Sequence, residues 1–307
     1  MNPQSILAIT DLSDNTDAVL SRAALLAAEH GASLKLMYAR PVGDLPCPDA
    51  VRRLTHHASQ LGQRHRISVH ASIRTADCFD DVVSAARNVD LVVTGASNAS
   101  LQSFFFGRLE ERLLRVTRRP VLVVRPQAAA AQSAYARFLV AVDFSEASRK
   151  LAATAFVLGK SAEVELFHAI STDNDRSVRY AEASEESIKA YREEYTRHAN
   201  DRLFWLTDSS DARRNRVDSA IGYGDPARQV VVQQQHSGSD LVVVGKHPAS
   251  ALSDFVFGSV SQRVLRYAHT DVMVIPHGFE FGTSSVAVRR LSQEQPLARR
   301  RIRAGAP

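Results

Sequence analysis

Asp240-Leu-Val-Val-Val-Gly-Lys-His247 decides the fold, because nearly the same phrase stands 150 residues earlier as Asp90-Leu-Val-Val-Thr-Gly-Ala-Ser97. A short apolar run closed by Gly reads as a strand buried on both faces, as in parallel sheets. Outward from it the repetition continues. Phe106-Gly-Arg-Leu-Glu-Glu-Arg-Leu-Leu-Arg115 returns as Phe257-Gly-Ser-Val-Ser-Gln-Arg-Val-Leu-Arg266, 151 residues on. Val121–Val124 returns as Val272–Ile275 at the same offset. Near each start, Ile6-Leu-Ala-Ile-Thr-Asp11 answers to Leu139-Val-Ala-Val-Asp143, with the two Asp 132 residues apart. The second copy therefore carries about 18 extra residues between its first strand and its Gly loop. A repeat of this length marks two copies of one unit.

Each copy alternates strand and helix. In the first, strands are expected at Ile6–Thr10, Leu34–Ala39, Ile67–Ile73, Leu91–Thr94 and Val121–Val124, with helices at Thr16–Glu29, Val51–Arg64, Asp80–Arg87 and Gly107–Val116. In the second, strands are expected at Phe138–Val142, Val164–Ala169, Val217–Ile221, Leu241–Val244 and Val272–Ile275. Its helices are Ala147–Leu158, Glu185–Leu206, Pro226–Gln235 and Ser259–Ala268. Apolar residues at helical spacing and a Gly stop, such as Val19, Leu20, Ala23, Leu26 and Ala27 before Gly31, carry the helix assignments. Alternation of this kind predicts an α/β fold of two tandem open parallel sheets with right-handed crossovers, each with its own core. The domains are 1–126 and 137–277, joined by a loose linker, 127–136.

The chain has 307 residues, 45% hydrophobic and 23% charged, which excludes wholesale disorder. Its two cysteines, Cys47 and Cys78, form neither a disulfide scaffold nor a metal-like spacing. No apolar run is long enough to span a membrane, the N-terminus lacks a signal-peptide pattern, and a cytoplasmic protein is expected. The net charge of +5 is mostly local: residues 278–307 hold six Arg and two Glu, leaving the body near neutral. That Arg-rich end reads as a disordered tail, and nucleic-acid binding through it is disfavoured.

In an open α/β sheet, ligands bind beyond the carboxyl ends of the strands. Three features of each copy gather there: the Asp after the first strand, the Gly after the fourth, and the Gly opening the next helix, whose free N–H groups attract phosphate. Each also has a bland reading. Asp11 and Asp143 serve as helix caps, and the glycines serve as turns. His56, His57, His65 and His70 lack a recognisable metal spacing, and no metal is expected. His168 ends a strand without a partner that would make it a general base, and no catalytic residue is assigned.

The second copy resembles the universal stress protein (UspA) family. Gly245-Lys-His-Pro248, nine residues and Gly258-Ser259 follow that family's nucleotide motif, and Val140-Ala-Val-Asp-Phe-Ser-Glu-Ala-Ser148 resembles its first strand and turn. The likeness covers about residues 5–126 and 137–277. It implies a Rossmann-like strand order 3-2-1-4-5 in each half. It also implies an ATP or other adenine-nucleotide site, with Asp143 by the sugar and base and Ala169 near the base. Gly245, Gly258, Ser259 and the Val260 amide would line the phosphates, Lys246 would supply a point charge, and His247 lies in the same loop. Pro248 replaces the motif's second Gly and removes one N–H donor. The first copy departs further, with Asn98, a loop one residue shorter, and Arg108 where a small hydroxyl residue belongs.

Two readings follow. One is a stress-response protein that binds an adenine nucleotide in its second domain, or protein partners, without rapid catalysis. The other is a nucleotide-independent interaction or scaffold protein with vestigial pockets. In both, the short apolar last strands invite edge pairing, so the halves are expected to form a pseudo-dimer within the chain. A homodimer is left open, and protein partners are not identified by any residue.

Overall fold

The computed structural model describes residues 2–39, 47–72, 79–96, 109–126, 134–171, 185–209, 216–246 and 259–281. The first copy runs β1 (Ser5–Thr10), α1 (Thr16–His30), β2 (Ser33–Tyr38), α2 (Ala50–His65), β3 (Val69–Ala71), α3 (Phe79–Arg87), β4 (Leu91–Gly95), α4 (Leu109–Val116) and β5 (Val121–Val124). The second runs β6 (Arg137–Ala141), α5 (Glu146–Leu158), β7 (Glu163–Ile170), α6 (Glu185–Ser209), β8 (Val217–Tyr223), α7 (Pro226–Ser237), β9 (Leu241–Lys246), α8 (Ser259–Tyr267) and β10 (Asp271–Pro276). The ends are set by local chemistry. Gly31, at φ 66°, stops α1 and its N–H bonds Ala27 O. Asp225 caps α7 by accepting from Arg228 N, with Pro226 in the first turn.

The strands lie in the order β3-β2-β1-β4-β5-β10-β9-β6-β7-β8, so each half has the order 3-2-1-4-5. Neighbours are parallel except β5 and β10, which pair antiparallel with Val123 opposite Val272. That pair fuses the halves into one ten-stranded sheet. In both copies the motif Asp closes the base of the sheet. Asp240 accepts from the backbone N–H of Ala136 and Arg137, and Asp90 from those of Gln4 and Ser5.

Separate cores were expected, and the structure corrects this. One apolar layer contains residues of α1, α2, α5 and α6, the other residues of α3, α4, α7 and α8, and each layer holds residues of both copies. The cause is the β5–β10 pair, which sets the two sheets edge to edge. At the junction, Asp271 (1% exposed) meets Arg22 (7% exposed) at 3.2 Å. Asp271 also accepts from Tyr135 Oη at 2.7 Å and from the Arg125 backbone N–H at 2.8 Å. The Arg22 guanidinium lies 4.1 Å above the Tyr135 ring and donates to Ala134 O. Burial pushes the Asp271 carboxyl up, against the pull of these donors. Across the other layer, Lys246 Nζ donates to Leu114 O at 2.6 Å and Arg125 to Leu265 O, so each short helix ends on a cation from the opposite copy.

Two boundaries also move. The expected loose linker is fixed at its end, because Ala134 and Tyr135 are buried; residues 127–133 lie outside the described ones. The segment expected as tail, 278–307, is packed through Phe281, and residues 282–307 lie outside the described ones. Gly278, at φ 71°, turns the chain back, Phe279 and Phe281 are buried edge to face, and Lys150 pairs with Glu280 at 3.3 Å.

The junction yields two expected outcomes. Asp271→Ala removes the carboxylate that compensates the buried Arg22 charge and lowers unfolding free energy by about 3–5 kcal/mol; adding Arg22→Met recovers part of it. Simple additivity in urea titrations would contradict this. The second concerns His30, whose Nε2 donates to Leu158 O at 3.1 Å across the copies. Burial, then the Lys160 charge, holds its pKa down at about 4 against an ordinary 6.5. The fold thus keeps His30 neutral while the unfolded chain takes up a proton. Its contribution is full above pH 6.5 and is lost as pH falls from there towards 4. The loss amounts to about 3 kcal/mol. Urea midpoints measured across that range should fall less steeply for His30→Gln than for the wild type.

Candidate functional site

The carboxyl ends of β6, β7 and β9 enclose a cavity of about 190 Å³. Its walls are largely apolar: Val142, Leu151, Phe167, Val244, Ile275 and Phe279. An apolar cavity of roughly 150 Å³ holds a benzene ring, so this one suits a flat ring system with its substituents extending outward. Asp143, Ala169, Gly245, Lys246 and Val260, five of the residues named from sequence, all line it. His247 and Gly258 lie outside the described residues, as do Pro248, Asn98 and Arg108. Ser259 opens α8, but its side chain is also outside them.

The turn after β6 builds the mouth. Asp143 Oδ1 accepts from the Ser145 N–H at 3.1 Å, from Ser145 Oγ at 2.7 Å and from Ser148 Oγ. Ser145 in turn caps α5 by accepting from Ser148 N. Asp143 is therefore not itself the expected helix cap, which is Ser145, but it holds the side chains of Ser145 and Ser148 while lining the cavity. Phe144 follows at φ 63°, and its counterpart Leu12 follows Asp11 at φ 60°. Both copies hold this costly conformation, so it belongs to the turn and not to one ligand site.

The copies diverge one turn further on. The 132-residue offset sets Asn15 against Ala147. In the first copy the Asn15 side chain lies over the end of β4. Its Nδ2 donates to Val124 O at 3.3 Å, and a Cβ on Gly95 would come within 2.8 Å of it. In the second, Ala147 lines the cavity, and a Cβ on Gly245 would meet Leu151 at an ordinary 3.5 Å. A side chain at Gly95 would displace the Asn15 amide, whereas one at Gly245 would make an ordinary contact with Leu151. Asn15, which the sequence analysis did not single out, stands at the N-terminus of α1 and makes no side-chain cap bond. Aligning the two copies was the signal that could have exposed its filling role.

Lys246 lines the cavity, but its Nζ is engaged by Leu114 O. Ser261, which sequence reasoning passed over, donates to Gly245 O at 2.5 Å and ties the first turn of α8 to β9. Phe279 and its neighbours, assigned to the tail by sequence, close one wall. Among the described residues, no group of three or more His, Cys, Asp or Glu is arranged to hold a metal, and no helix is long and apolar enough to cross a membrane.

Comparison with known proteins agrees with the duplicated architecture. The model of the Universal stress protein family matches residues 3–125 and again 134–276. A universal stress protein of Mycolicibacterium smegmatis is 28% identical over 294 residues, covering 88% of this chain and 96% of the relative. One from Mycobacterium tuberculosis is 28% identical over 217 residues, 70% of this chain and 71% of the relative. Among solved structures, a universal stress protein from Archaeoglobus fulgidus aligns with a TM-score of 0.61 at 18% identity, covering 89% of this chain and 96% of its own. The last likeness is one of fold. With the family pattern matched twice and the strand order repeated in each half, the chain belongs to the universal stress protein family in its tandem form.

Proposed function

We propose that the second copy binds ATP or another adenine nucleotide and that the first copy serves as its structural partner. The observation that carries this is the contrast between Ala147, which lines the second copy's cavity, and Asn15, whose side chain lies over the end of β4 and donates to Val124 O. An apolar slot suits a base, Asp143 stands at the mouth for a sugar hydroxyl, and the start of α8 offers its amides to phosphate. In this reading Val260 N–H and Ser259 meet the phosphates, and Lys246, with one N–H donated to Leu114 O, adds a positive charge at the cavity wall. The protein then acts in stress response through occupancy and through protein partners, without turnover, in a cytoplasmic setting. A homodimer belongs to the same proposal. One observation favours the alternative of a nucleotide-independent interaction protein: the Lys246 ammonium already serves the junction between copies.

Two measurements separate these. Denatured protein should release adenine nucleotide, or the native protein should give heat on ATP titration; neither signal would favour the alternative. Ala147→Asn transplants the first copy's filler into the second. It should weaken ATP binding at least about tenfold while leaving the melting temperature nearly unchanged, since one buried polar contact is worth about 1 kcal/mol. Undiminished affinity would show that the nucleotide sits elsewhere.

A further inference from the structure

The cavity wall contains one polar ring whose hydrogen-bonding sense is fixed. His168, near the end of β7, donates from Nδ1 to Val142 O at 2.8 Å. A carbonyl only accepts, so Nδ1 carries the proton, and in the neutral ring Nε2 is left as an acceptor. Among the described residues Nε2 makes no hydrogen bond. The ring stacks at 4.1 Å on Phe144, which is held by the turn after Asp143. Burial, and to a lesser degree the Arg202 charge, pushes the imidazole pKa down; the Val142 carbonyl and Asp143 pull the other way. At neutral pH the wall therefore presents an immobile acceptor among apolar side chains.

Resting on the nucleotide reading above, we infer that His168 is the specificity residue of this site and selects a base bearing an amino group over one bearing a carbonyl at the same position. An exocyclic amine would donate to Nε2. An oxo group there would set two lone pairs against each other, and Nε2 would lose the donor that the amine provides. Rotation of the ring cannot relieve this without breaking the bond to Val142 O and the stack on Phe144. The inference concerns this chain's own side chain, whereas Ala169 beside it offers only backbone.

The test compares ATP with ITP, which carry at the base an amino group beside a bare ring nitrogen and an oxo group beside a protonated one, by titration calorimetry on the full chain. The wild type should prefer ATP by about tenfold or more. His168→Leu and His168→Phe should bring the ratio near one while circular dichroism shows a native fold. A merely structural role would weaken both ligands alike and leave the ratio intact. Equal binding of ATP and ITP by the wild type, or a preference that survives both variants, would overturn this inference and leave the nucleotide site standing. Binding of neither nucleotide would overturn both.

Discussion

A carboxylate almost sealed from water, Asp271, is the constraint on which the arrangement rests. It lies at the start of β10, where the antiparallel pair with β5 turns two sheets into one. Such a group is tolerable only with donors around it, and here Arg22, Tyr135 and the Arg125 amide provide them from the first copy and the linker. The pairing also removes two sheet edges and merges the apolar layers on both faces. The merged layers do not dissolve the duplication, since the strand order still repeats on either side of the junction.

That union permits the copies to specialise. In the first, Asn15 satisfies Val124 O and covers Gly95. In the second, Ala147 leaves the equivalent space vacant, and the segment through Phe279 walls it on one side. The same backbone turn, with a left-handed residue after Asp, is kept by both. On this shared frame the two copies differ in the side chain that stands beside the glycine after the fourth strand, Asn15 in one and Ala147 in the other.

The frame was legible in the sequence for physical reasons. Strands such as Leu241–Val244 are apolar throughout because both faces are covered, and Gly31 or Asp225-Pro226 end or begin helices by backbone chemistry alone. The sites of interaction between copies were not legible. Arg22 lies on a helix where an Arg ordinarily reads as solvated, Tyr135 ends an Ala-rich connector, and Phe279 and Phe281 follow no period. Their roles depend on a partner more than a hundred residues away, which no local pattern encodes. Lys246 shows the same limit, for a cation beside a Gly loop suggests phosphate, while here it donates to a helix end in the other copy.

The most direct measurement of the central claim is a crystal structure of the full chain grown with ATP. The account predicts density for the base between β6, β7 and β9, with its phosphates at the start of α8, and none over β4 beside Asn15. Density in the first crevice, or in neither, would contradict it.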